Sequence, residues 1–315
     1  MMLELLIYGY SIGVTSSREI ERRCATDVAF RWLSANSAPD YRSLARFRRR
    51  HLVALDGLFV QVLALCAGAG LVKLGRVALD GTKLRASASR HKATSYDRLG
   101  PRIEVLEAEA ARPDKKAQRN FTDPDARMMK TTDGFHYAYN AQAVVDEHSQ
   151  VMLAADVTQC AADVDQLFDM VETTETNLAD ADIDDSPEVV LADAGYCSED
   201  NLGTAADGAL DMLIATGRLE HNERVADAPR GPIPKNATAR ERMARRLRTK
   251  KGRADYARRK AIVEPAFGQM KVRQHAGFLR LRGFDGVQGE WTLHAICHNL
   301  RKLANARHAA VVAVT

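Results

Sequence analysis

The sequence predicts an α/β protein in which a mixed β-sheet flanked by helices follows a small all-helical region. Two patterns support this prediction. Apolar residues recur at helical spacing through residues 1–72. From residue 75 onward, short apolar runs typical of strands alternate with amphipathic helices. The chain has 315 residues, of which 46% are hydrophobic and 27% charged, so it can bury a sizeable core.

The first region, residues 1–72, is expected to form a small helical bundle. Ser16 and Glu19 have the spacing of a capping box, and Asp40 is a second N-cap before an apolar-periodic segment. No capping residue precedes Leu3, so we expect that an N-terminal portion is missing. The more polar side of the bundle carries a run of arginines, which suits either contact with a DNA backbone or dimerisation: Arg46, Arg48, Arg49 and Arg50.

The second region, residues 73–307, shows the order strand, hairpin, helix, strand, helix, strand and helices. A hairpin followed by strand–helix–strand crossovers implies a mixed sheet covered by helices, and right-handed crossovers leave few arrangements. One of these is the ribonuclease-H-like fold. Polar residues at about 90–132 are interpreted as an exposed insertion, and residues 308–315 as a tail.

Charge is distributed very unevenly along the chain. Between Thr131 and Gly217 there are 19 acidic residues and no lysine or arginine. Residues 230–282 carry 17 basic residues against three acidic ones, and residues 18–50 carry nine arginines against four acidic residues. This pattern is typical of a protein whose basic flanks hold a polyanion while its acidic centre holds cations. An unevenly charged, solvated surface is the alternative interpretation.

The cysteines and the apolar segments argue against several classes of protein. The five cysteines include no Cys-x-x-Cys pair, so we expect reduced thiols in a cytosol rather than disulfides or a zinc site. No basic leader precedes the apolar N-terminus. The most apolar run, residues 58–72, is too short and too interrupted for a membrane span and is interpreted as a buried helix. We therefore expect a cytoplasmic protein that contacts no membrane.

Three carboxylates occupy comparable positions in the predicted elements. Asp80 ends the first strand, Asp193 ends the strand after the hairpin and helix, and Glu264 lies in a basic helical segment. If Asp80 and Asp193 lie on adjacent strands, a helix packed across the strand ends could deliver Glu264 to them. Converging carboxylates repel one another unless a cation binds, and oxygen ligands alone favour Mg²⁺ or Mn²⁺. Two such ions, roughly 3.5–4 Å apart, can activate an attacking oxygen and stabilise a leaving oxygen.

Each carboxylate also has a purely structural interpretation. Asp80 in Asp-Gly-Thr is a common turn residue, Asp193 could start a helix, and Glu264 could be any acid on a helix surface. Pro265 disfavours α geometry at Glu264 and could itself begin a helix. Spacing alone therefore leaves the metal site open.

Four motifs, taken in order, resemble the DDE transposases of bacterial insertion sequences. They are VALDGTKLRASAS from Val77, GFHYAYNAQAVVD from Gly134, LADAGYCSEDNL from Leu191 and GRADYARRKAIVEPAFGQMK from Gly252. The segment YGYSIGVTSSREIERRCATDVAFRWL from Tyr8 resembles the N-terminal helical region of that family. The resemblance covers nearly the whole chain, and the order of the motifs makes it specific although each motif alone is not.

The resemblance implies a ribonuclease-H-like catalytic domain that acts on DNA. Asp80, Asp193 and Glu264 would hold two Mg²⁺ or Mn²⁺ ions; water would cut the element's end, and the freed 3′-hydroxyl would attack target DNA. The implied partner is double-stranded DNA, both element ends and target, held by a homodimer in a bacterial cytoplasm, at the nucleoid. A metal-dependent nuclease of the same fold is one alternative, and a truncated or domesticated copy that binds DNA without catalysis is another.

The family's Tyr–Arg–Glu–Lys signature is also present. Tyr256, Arg259, Glu264 and Lys271 fill it, but four residues separate Arg259 from Glu264 where the family pattern has three. Lys260 occupies the expected arginine position, so either residue could take that role. Lys271 lies seven residues after Glu264, on the same face of a continuous helix, where a cation could hold a phosphate.

Other polar residues are weaker candidates. Lys83 closely follows the first aspartate and could contact a phosphate or lie on the surface. His294 and His298 lie one helical turn apart, but no further ligand set at a recognised spacing accompanies them, so a zinc site is not indicated. Asn140 and Gln142 alternate on one strand face, either as structural hydrogen-bonding groups or as residues that line a cleft.

Overall fold

A computed structural model describes residues 1–89, 93–95, 118–217, 227–229 and 231–314. Helices precede and flank one mixed sheet, so the predicted fold class is confirmed, and the arrangement is that of a ribonuclease-H-like domain with N-terminal helices.

The N-terminal region consists of helices, as predicted. They are α1 (Met2–Ser11), α2 (Ser17–Thr26), α3 (Val28–Leu33), α4 (Tyr41–Arg50) and α5 (Leu52–Gly68). Asp40 caps α4 by accepting hydrogen bonds from two backbone N–H groups of the first turn. The capping box predicted for α2 does not form, because the Ser16 side chain caps no N–H group and Glu19 pairs with Arg23 instead.

Helix α5 contains the most apolar stretch of the chain. Its buried side chains include Phe59, Val62, Leu63 and Cys66, so this segment belongs to the protein core, as predicted. Among the described residues, no single helix is long and apolar enough to cross a membrane. Helices α4 and α5 meet the length and composition criteria only as a pair, and they are bent by 73°.

Six of the described strands form the central sheet. They are β1 (Arg76–Arg85), β4 (Arg127–Thr131), β5 (Gly134–Asp146), β6 (Met152–Thr158), β7 (Val189–Ala192) and β8 (Asp211–Ile214). β5 and β6 form the predicted hairpin, and β5 also pairs antiparallel with β1 and β4. β1 pairs in parallel with β7, and β7 in parallel with β8. A separate two-stranded sheet contains β2 (Ala93–Ser95) and β3 (Gln118–Asn120).

Helices connect and cover these strands. They are α6 (Leu167–Asp180), α7 (Glu199–Asp207), α8 (Ala239–Arg248), α9 (Lys250–Arg273) and α10 (Phe284–Val314). Ser198 caps α7 by accepting from the N–H of Asn201, at the predicted helix start. The basic helix α9 packs across β1, β5 and β7, which brings it to the strand ends.

The two regions share one hydrophobic core. Leu5 and Leu63 of the N-terminal helices belong to the same buried cluster as Leu79 and Val145 of the sheet. Helix α10 connects them by packing against α1, α5 and β6. The predicted boundary after residue 72 falls in the connection between α5 and β1 and remains a prediction.

A buried polar network ties the N-terminal region to α10. Tyr10 Oη donates to Glu290 Oε1 at 2.8 Å and accepts from the Arg48 guanidinium. Glu290 Oε2 accepts the backbone N–H groups of Arg280 and Leu281, each at 2.7 Å. Arg48 is therefore a buried structural residue rather than part of an exposed basic face, which corrects the prediction for this arginine.

Four boundaries differ from those expected. β1 continues through Asp80 to Arg85 because the antiparallel partner β5 extends beyond the end of β7. Residues 127–131 of the expected insertion are strand β4, and much of the interval 90–132 lies outside the described residues. α10 continues through the described part of the expected tail. α9 runs through Pro265 without a break. Proline has no N–H group, so it cannot donate to the carbonyl oxygen of Ala261 four residues earlier. That oxygen accepts from Gln150 Nε2 instead, at 3.1 Å.

Two histidines of α10 are buried in neutral form. Burial lowers the pKa of His294 to about 3 and that of His298 to about 4. His294 Nδ1 lies 3.0 Å from the side-chain amide of Gln274, and His298 Nε2 lies 2.7 Å from the carbonyl oxygen of Gln150. Both imidazoles thus serve packing and hydrogen bonding.

We expect the stability of the fold to decrease as the pH falls from about 6.5 towards 4. The unfolded chain protonates His298 near its ordinary pKa, whereas the folded chain excludes that proton until about pH 4, so acid favours unfolding. His298→Gln retains a nitrogen that can donate to Gln150 but does not titrate, so its melting temperature should depend less on pH. The matched control is His148→Gln, at an exposed position. An unaltered pH dependence in His298→Gln would contradict this account.

Candidate active site

Asp80 and Asp193 lie side by side where β1 and β7 separate. The strands pair in parallel, with Leu79 opposite Ala192, so an aspartate follows each member of the last pair. The paired segments are buried and apolar, which fixes their register against the core. Asp193 Oδ1 accepts the backbone N–H of Gly195 at 2.7 Å and so starts a turn away from the sheet.

The two carboxylates act on one another electrostatically. Burial raises the pKa of Asp80, the Arg259 guanidinium opposes this effect, and the negative charge of Asp193 raises that pKa further. Asp80 Oδ1 accepts the N–H of Gly81 at 2.9 Å, and Asp80 Oδ2 accepts from Arg259 Nη1 at 3.1 Å. Negative charge is costly at this position, and a nearby cation is favourable.

Helix α9 brings two residues of the predicted signature to this pair. Arg259 is only 8% exposed and reaches Asp80. One turn earlier, burial raises the pKa of Tyr256, while Arg259 opposes and Asp193 reinforces that shift. Lys260 is exposed. Of the two residues considered for the arginine role, Arg259 is therefore the one that contacts a site carboxylate.

Glu264 does not join the two aspartates in this arrangement. It is exposed on α9, and its carboxylate makes no hydrogen bond or ion pair with another described residue. Five positions along an α-helix correspond to roughly 140° of rotation, so packing Arg259 on Asp80 turns Glu264 away from that contact. Within the described ranges, no group of three or more His, Cys, Asp or Glu side chains could hold a metal ion.

Lys271 and Lys83 lie on opposite sides of the sheet at β1. Lys271 Nζ donates to Thr82 Oγ1 at 2.5 Å, and Thr82 lies on the same strand face as Asp80, two residues away. Partial burial lowers the pKa of Lys271, and Asp80 opposes this effect. Lys83 Nζ instead lies 3.0 Å from Asp163 Oδ1 on the other face. Lys83, considered as a phosphate contact, is therefore engaged in an ion pair.

A polar group on that other face contains Asn140 and Gln142, which were considered from the sequence, and Asp163, which was not predicted. Asp163 accepts from Asn140 Nδ2 at 2.6 Å and from Gln142 Nε2 at 2.9 Å, and Tyr196 Oη donates to Gln142 Oε1. Asn140 and Gln142 thus make structural hydrogen bonds directly beside the candidate site. Asp163 lies five residues after the end of β6 and not directly after an apolar run, so no pattern of the kind that marked Asp80 was available.

The chemistry of the aspartate pair suits a divalent cation. Asp80 and Asp193 offer hard oxygen ligands, the donor type that Mg²⁺ and Mn²⁺ prefer. The raised pKa of Asp80 reflects the cost of negative charge there, which a cation would relieve. These two residues fit such an ion, whereas Glu264 does not reach them as it is placed here.

Comparison with protein families gives these residues a context. A family model described as the transposase DDE domain matches residues 73–300, a span that includes Asp80, Asp193 and Glu264. A second model, described as a transposase domain (DUF772), matches residues 1–50. Searches of curated proteins and of solved structures gave no significant match.

Asp80→Asn should leave the fold at least as stable as the wild type at pH 7 when a chelator removes divalent cations. Because the pKa of Asp80 is raised, the fold favours its protonated form, and wild-type stability decreases as the pH rises above the ordinary carboxyl value of about 4. Asparagine keeps an oxygen for the Gly81 N–H and removes the charge. Thermal unfolding between pH 4 and 7 would measure the difference.

The matched control for this experiment is Asp185→Asn, which removes a carboxylate from an exposed position. That variant should keep the wild-type dependence of melting temperature on pH. A melting temperature of Asp80→Asn far below that of the wild type at pH 7 would show that the carboxylate stabilises the fold, contrary to this expectation.

Proposed function

The chain belongs to the family of DDE transposases, and we propose that it cuts DNA at the ends of an insertion sequence and joins the freed 3′-hydroxyls to target DNA. The observation that carries this proposal is the pair Asp80 and Asp193, side by side where the parallel pairing of β1 and β7 ends, within the matched domain. In-line phosphoryl transfer depends on acidic groups that hold cations at the reacting phosphate, and this pair suits that task.

DDE transposases in general use divalent metal ions, and we infer two Mg²⁺ or Mn²⁺ ions for this chain. Asp80 and Asp193 would hold them, with Glu264 as the third acidic ligand. When bound, such ions activate an attacking oxygen and stabilise the leaving oxygen of a phosphodiester. To take this role, Glu264 must come closer to the aspartates than the described arrangement places it.

Two basic residues of α9 act on either side of Asp80 in this proposal. Arg259 bonds to Asp80 and limits the repulsion between the paired carboxylates. Lys271 lies over Thr82 and has no carboxylate partner among the described residues, so its ammonium is free to bind a phosphate oxygen. Tyr256 lies one turn before Arg259 on the same helix, close enough for the two side chains to interact electrostatically.

The exposed faces of α8 and α9 supply one surface for duplex DNA. Cations there would contact phosphates irrespective of sequence, and the resulting affinity would fall as the salt concentration rises. Besides Lys271, the exposed basic residues of these helices are Arg240, Arg242, Arg248, Lys250, Lys251, Arg253, Arg258, Lys260 and Arg273.

A cleft of about 650 Å³ in the N-terminal region supplies a second basic surface. It lies between the α1–α2 turn and the segment that carries His275 and Arg280. Its lining also includes Arg18, Arg22 and Arg23, against a single acidic residue, Glu19. This excess of positive charge favours contact between the N-terminal region and the DNA backbone. A homodimer that pairs two element ends would present two such clefts. The DNA concerned would be that of a bacterial cytoplasm.

A second candidate function is DNA binding without catalysis. The observation that favours it is the exposed position of Glu264, which leaves two rather than three of the predicted acidic ligands together. A copy of this kind would bind element ends through its basic surfaces and neither cut nor join them.

Asp80→Ala, Asp193→Ala and Glu264→Ala should each reduce strand transfer to below about 1% of the wild-type rate. The assay combines the purified chain, Mg²⁺, a labelled duplex carrying the element's end and a supercoiled plasmid. Melting temperature and duplex binding should remain close to wild type, since the substitutions remove cation ligands rather than core residues. Glu188→Ala, at an exposed position before β7, is the matched control and should retain activity.

Each other outcome of this assay has a defined meaning. Cleavage without joining by the wild type would indicate a nuclease. Binding without cleavage would indicate the non-catalytic copy. Near-normal strand transfer by one of the alanine variants would remove that residue from the proposed cation site.

The double variant Arg18→Gln/Arg22→Gln should bind duplex DNA more weakly and with a shallower salt dependence. The slope of log K against log salt concentration should decrease by about 0.9 for each phosphate that the variant no longer neutralises. Binding titrations at several salt concentrations would measure it, with Arg307→Gln, exposed and outside the cleft, as the control. An unchanged slope in the double variant would exclude the cleft from the DNA interface.

A further inference from the structure

The carboxylate of Asp163 lies between the backbone segments that follow the candidate catalytic aspartates, strand β1 after Asp80 and a turn after Asp193. Asp163 Oδ1 is 2.7 Å from the point where a Cβ on Gly81 would lie, and Asp163 Oδ2 is 3.1 Å from the corresponding point on Gly195. Gly81 directly follows Asp80, and the N–H of Gly195 donates to Asp193. One carboxylate therefore touches both backbone segments whose separation sets the distance between the paired aspartates.

Several donors hold this carboxylate in place. Lys83 Nζ lies 3.0 Å from Oδ1, Asn140 Nδ2 donates to the same oxygen at 2.6 Å, and Gln142 Nε2 donates to it at 2.9 Å. Gln142 in turn accepts from the hydroxyl of the fully buried Tyr196, which belongs to the turn after Asp193. The contacts run from β1 through β5 to the end of β7, so the carboxylate is fixed from three strands.

The two glycines leave the space that this carboxylate fills. A Cβ at position 81 would also lie 2.5 Å from Gln142 Nε2 and 3.0 Å from Asn140 Oδ1, so a side chain there would displace the whole group. A Cβ at position 195 would lie 2.9 Å from Asp193 Oδ1 and close to Asp163. Neither glycine has a positive φ angle, so the requirement is for close approach rather than for an unusual backbone.

A third carboxylate beside two others is electrostatically unfavourable unless it is compensated. Lys83 provides that compensation, with both side chains about one-fifth exposed, at 19% for Lys83 and 21% for Asp163. A neutral residue would fill the same space without this cost. The charge is explained if the site needs strong acceptor bonds from Lys83, Asn140 and Gln142 that hold the carboxylate firmly against Gly81 and Gly195, because bonds to ionised acceptors are shorter and stronger than neutral ones.

We propose that Asp163 is a positioning residue that fixes the separation of Asp80 and Asp193 and thereby the geometry of the divalent-cation site. This inference rests on the proposed function, which supplies both the cation site and its catalytic role; measuring Mn²⁺ affinity apart from DNA cleavage separates the two. Asp163 does not contact the reacting phosphate in this proposal; it acts through Gly81 and Gly195.

The test uses the full-length chain and Mn²⁺ as the probe, with two independent readouts. The first is Mn²⁺ affinity, measured by calorimetry and by the rise in melting temperature without DNA. The second is the rate of DNA cleavage at saturating DNA, with KM determined separately. For Asp163→Asn, we expect Mn²⁺ affinity and kcat to fall about 10- to 100-fold, as is usual when a residue that orients metal ligands is changed. KM for DNA should stay within about twofold of wild type, since the DNA-binding surfaces are intact.

The matched control is Asp165→Asn, which removes a carboxylate two residues away, at an exposed position. It should retain wild-type Mn²⁺ affinity and cleavage. If Asp163→Asn also retains both, the positioning role is overturned. If the wild type binds Mn²⁺ but does not cleave DNA, the proposed function fails, and the Mn²⁺ affinities still decide the positioning role.

A second variant controls for the possibility that Asp163→Asn misfolds because Lys83 has lost its ion-pair partner. Lys83→Met/Asp163→Asn removes both charges, so no uncompensated ion remains beneath the site. We expect this variant to fold and to keep the loss of Mn²⁺ affinity, because the ionised acceptor, which binds its donors more strongly than a neutral amide oxygen does, is still absent. Recovery of wild-type affinity would show that the single variant failed through its unpaired lysine, and it would overturn the proposal.

Discussion

Parallel pairing of β1 with β7 underlies the other features of this molecule. It places Asp80 and Asp193 side by side at the edge of a buried sheet, where negative charge is costly. Neighbouring side chains offset this cost with positive charge and hydrogen-bond donors. Arg259 reaches Asp80 from α9 on one face, and on the other face Lys83 pairs with the carboxylate of Asp163 beside Gly81 and Gly195. Helix α9 crosses the strand ends in the position from which it can supply that charge.

A shared core joins this site to the N-terminal helices. α10 packs on α1, α5 and β6, and the buried cluster continues through all of them. Within it, Tyr10 links Arg48 of α4 to Glu290 of α10, and Glu290 also receives two backbone N–H groups of the segment after α9. Removing one member of such a buried charged network leaves the others without partners. The resulting loss of folding stability is larger than the stability that an exposed ion pair contributes. The helices that carry the basic cleft are thus held firmly against the sheet that carries the aspartates.

The uneven charge distribution of the chain has a structural as well as a DNA-binding side. Some basic residues of α8 and α9 pair with acids of the central region, as Arg246 does with Asp211 and Arg258 with Glu147. In the opposite sense, the basic residue Arg76 of β1 pairs with the acidic residue Asp255 of α9. Each exposed pair adds little stability, but together they orient the basic helices on the acidic domain. The unpaired cations of those helices remain outward, where a polyanion can reach them.

Patterns in the sequence were enough to predict the class of fold, the hairpin and the strand that ends before Asp193, and they allowed Asp80 and Asp193 to lie on adjacent strands. Those features follow from periodicity and from parallel pairing, which hydrophobic pattern and crossover rules constrain strongly. Which face of α9 meets the sheet, in contrast, depends on tertiary packing. Arg259 and Glu264 are five positions apart, so the helix rotation that buries one exposes the other, and spacing along the chain does not set that rotation. Tertiary contacts also placed Asp163, because no local pattern indicates that an acid after β6 lies against two glycines from distant strands.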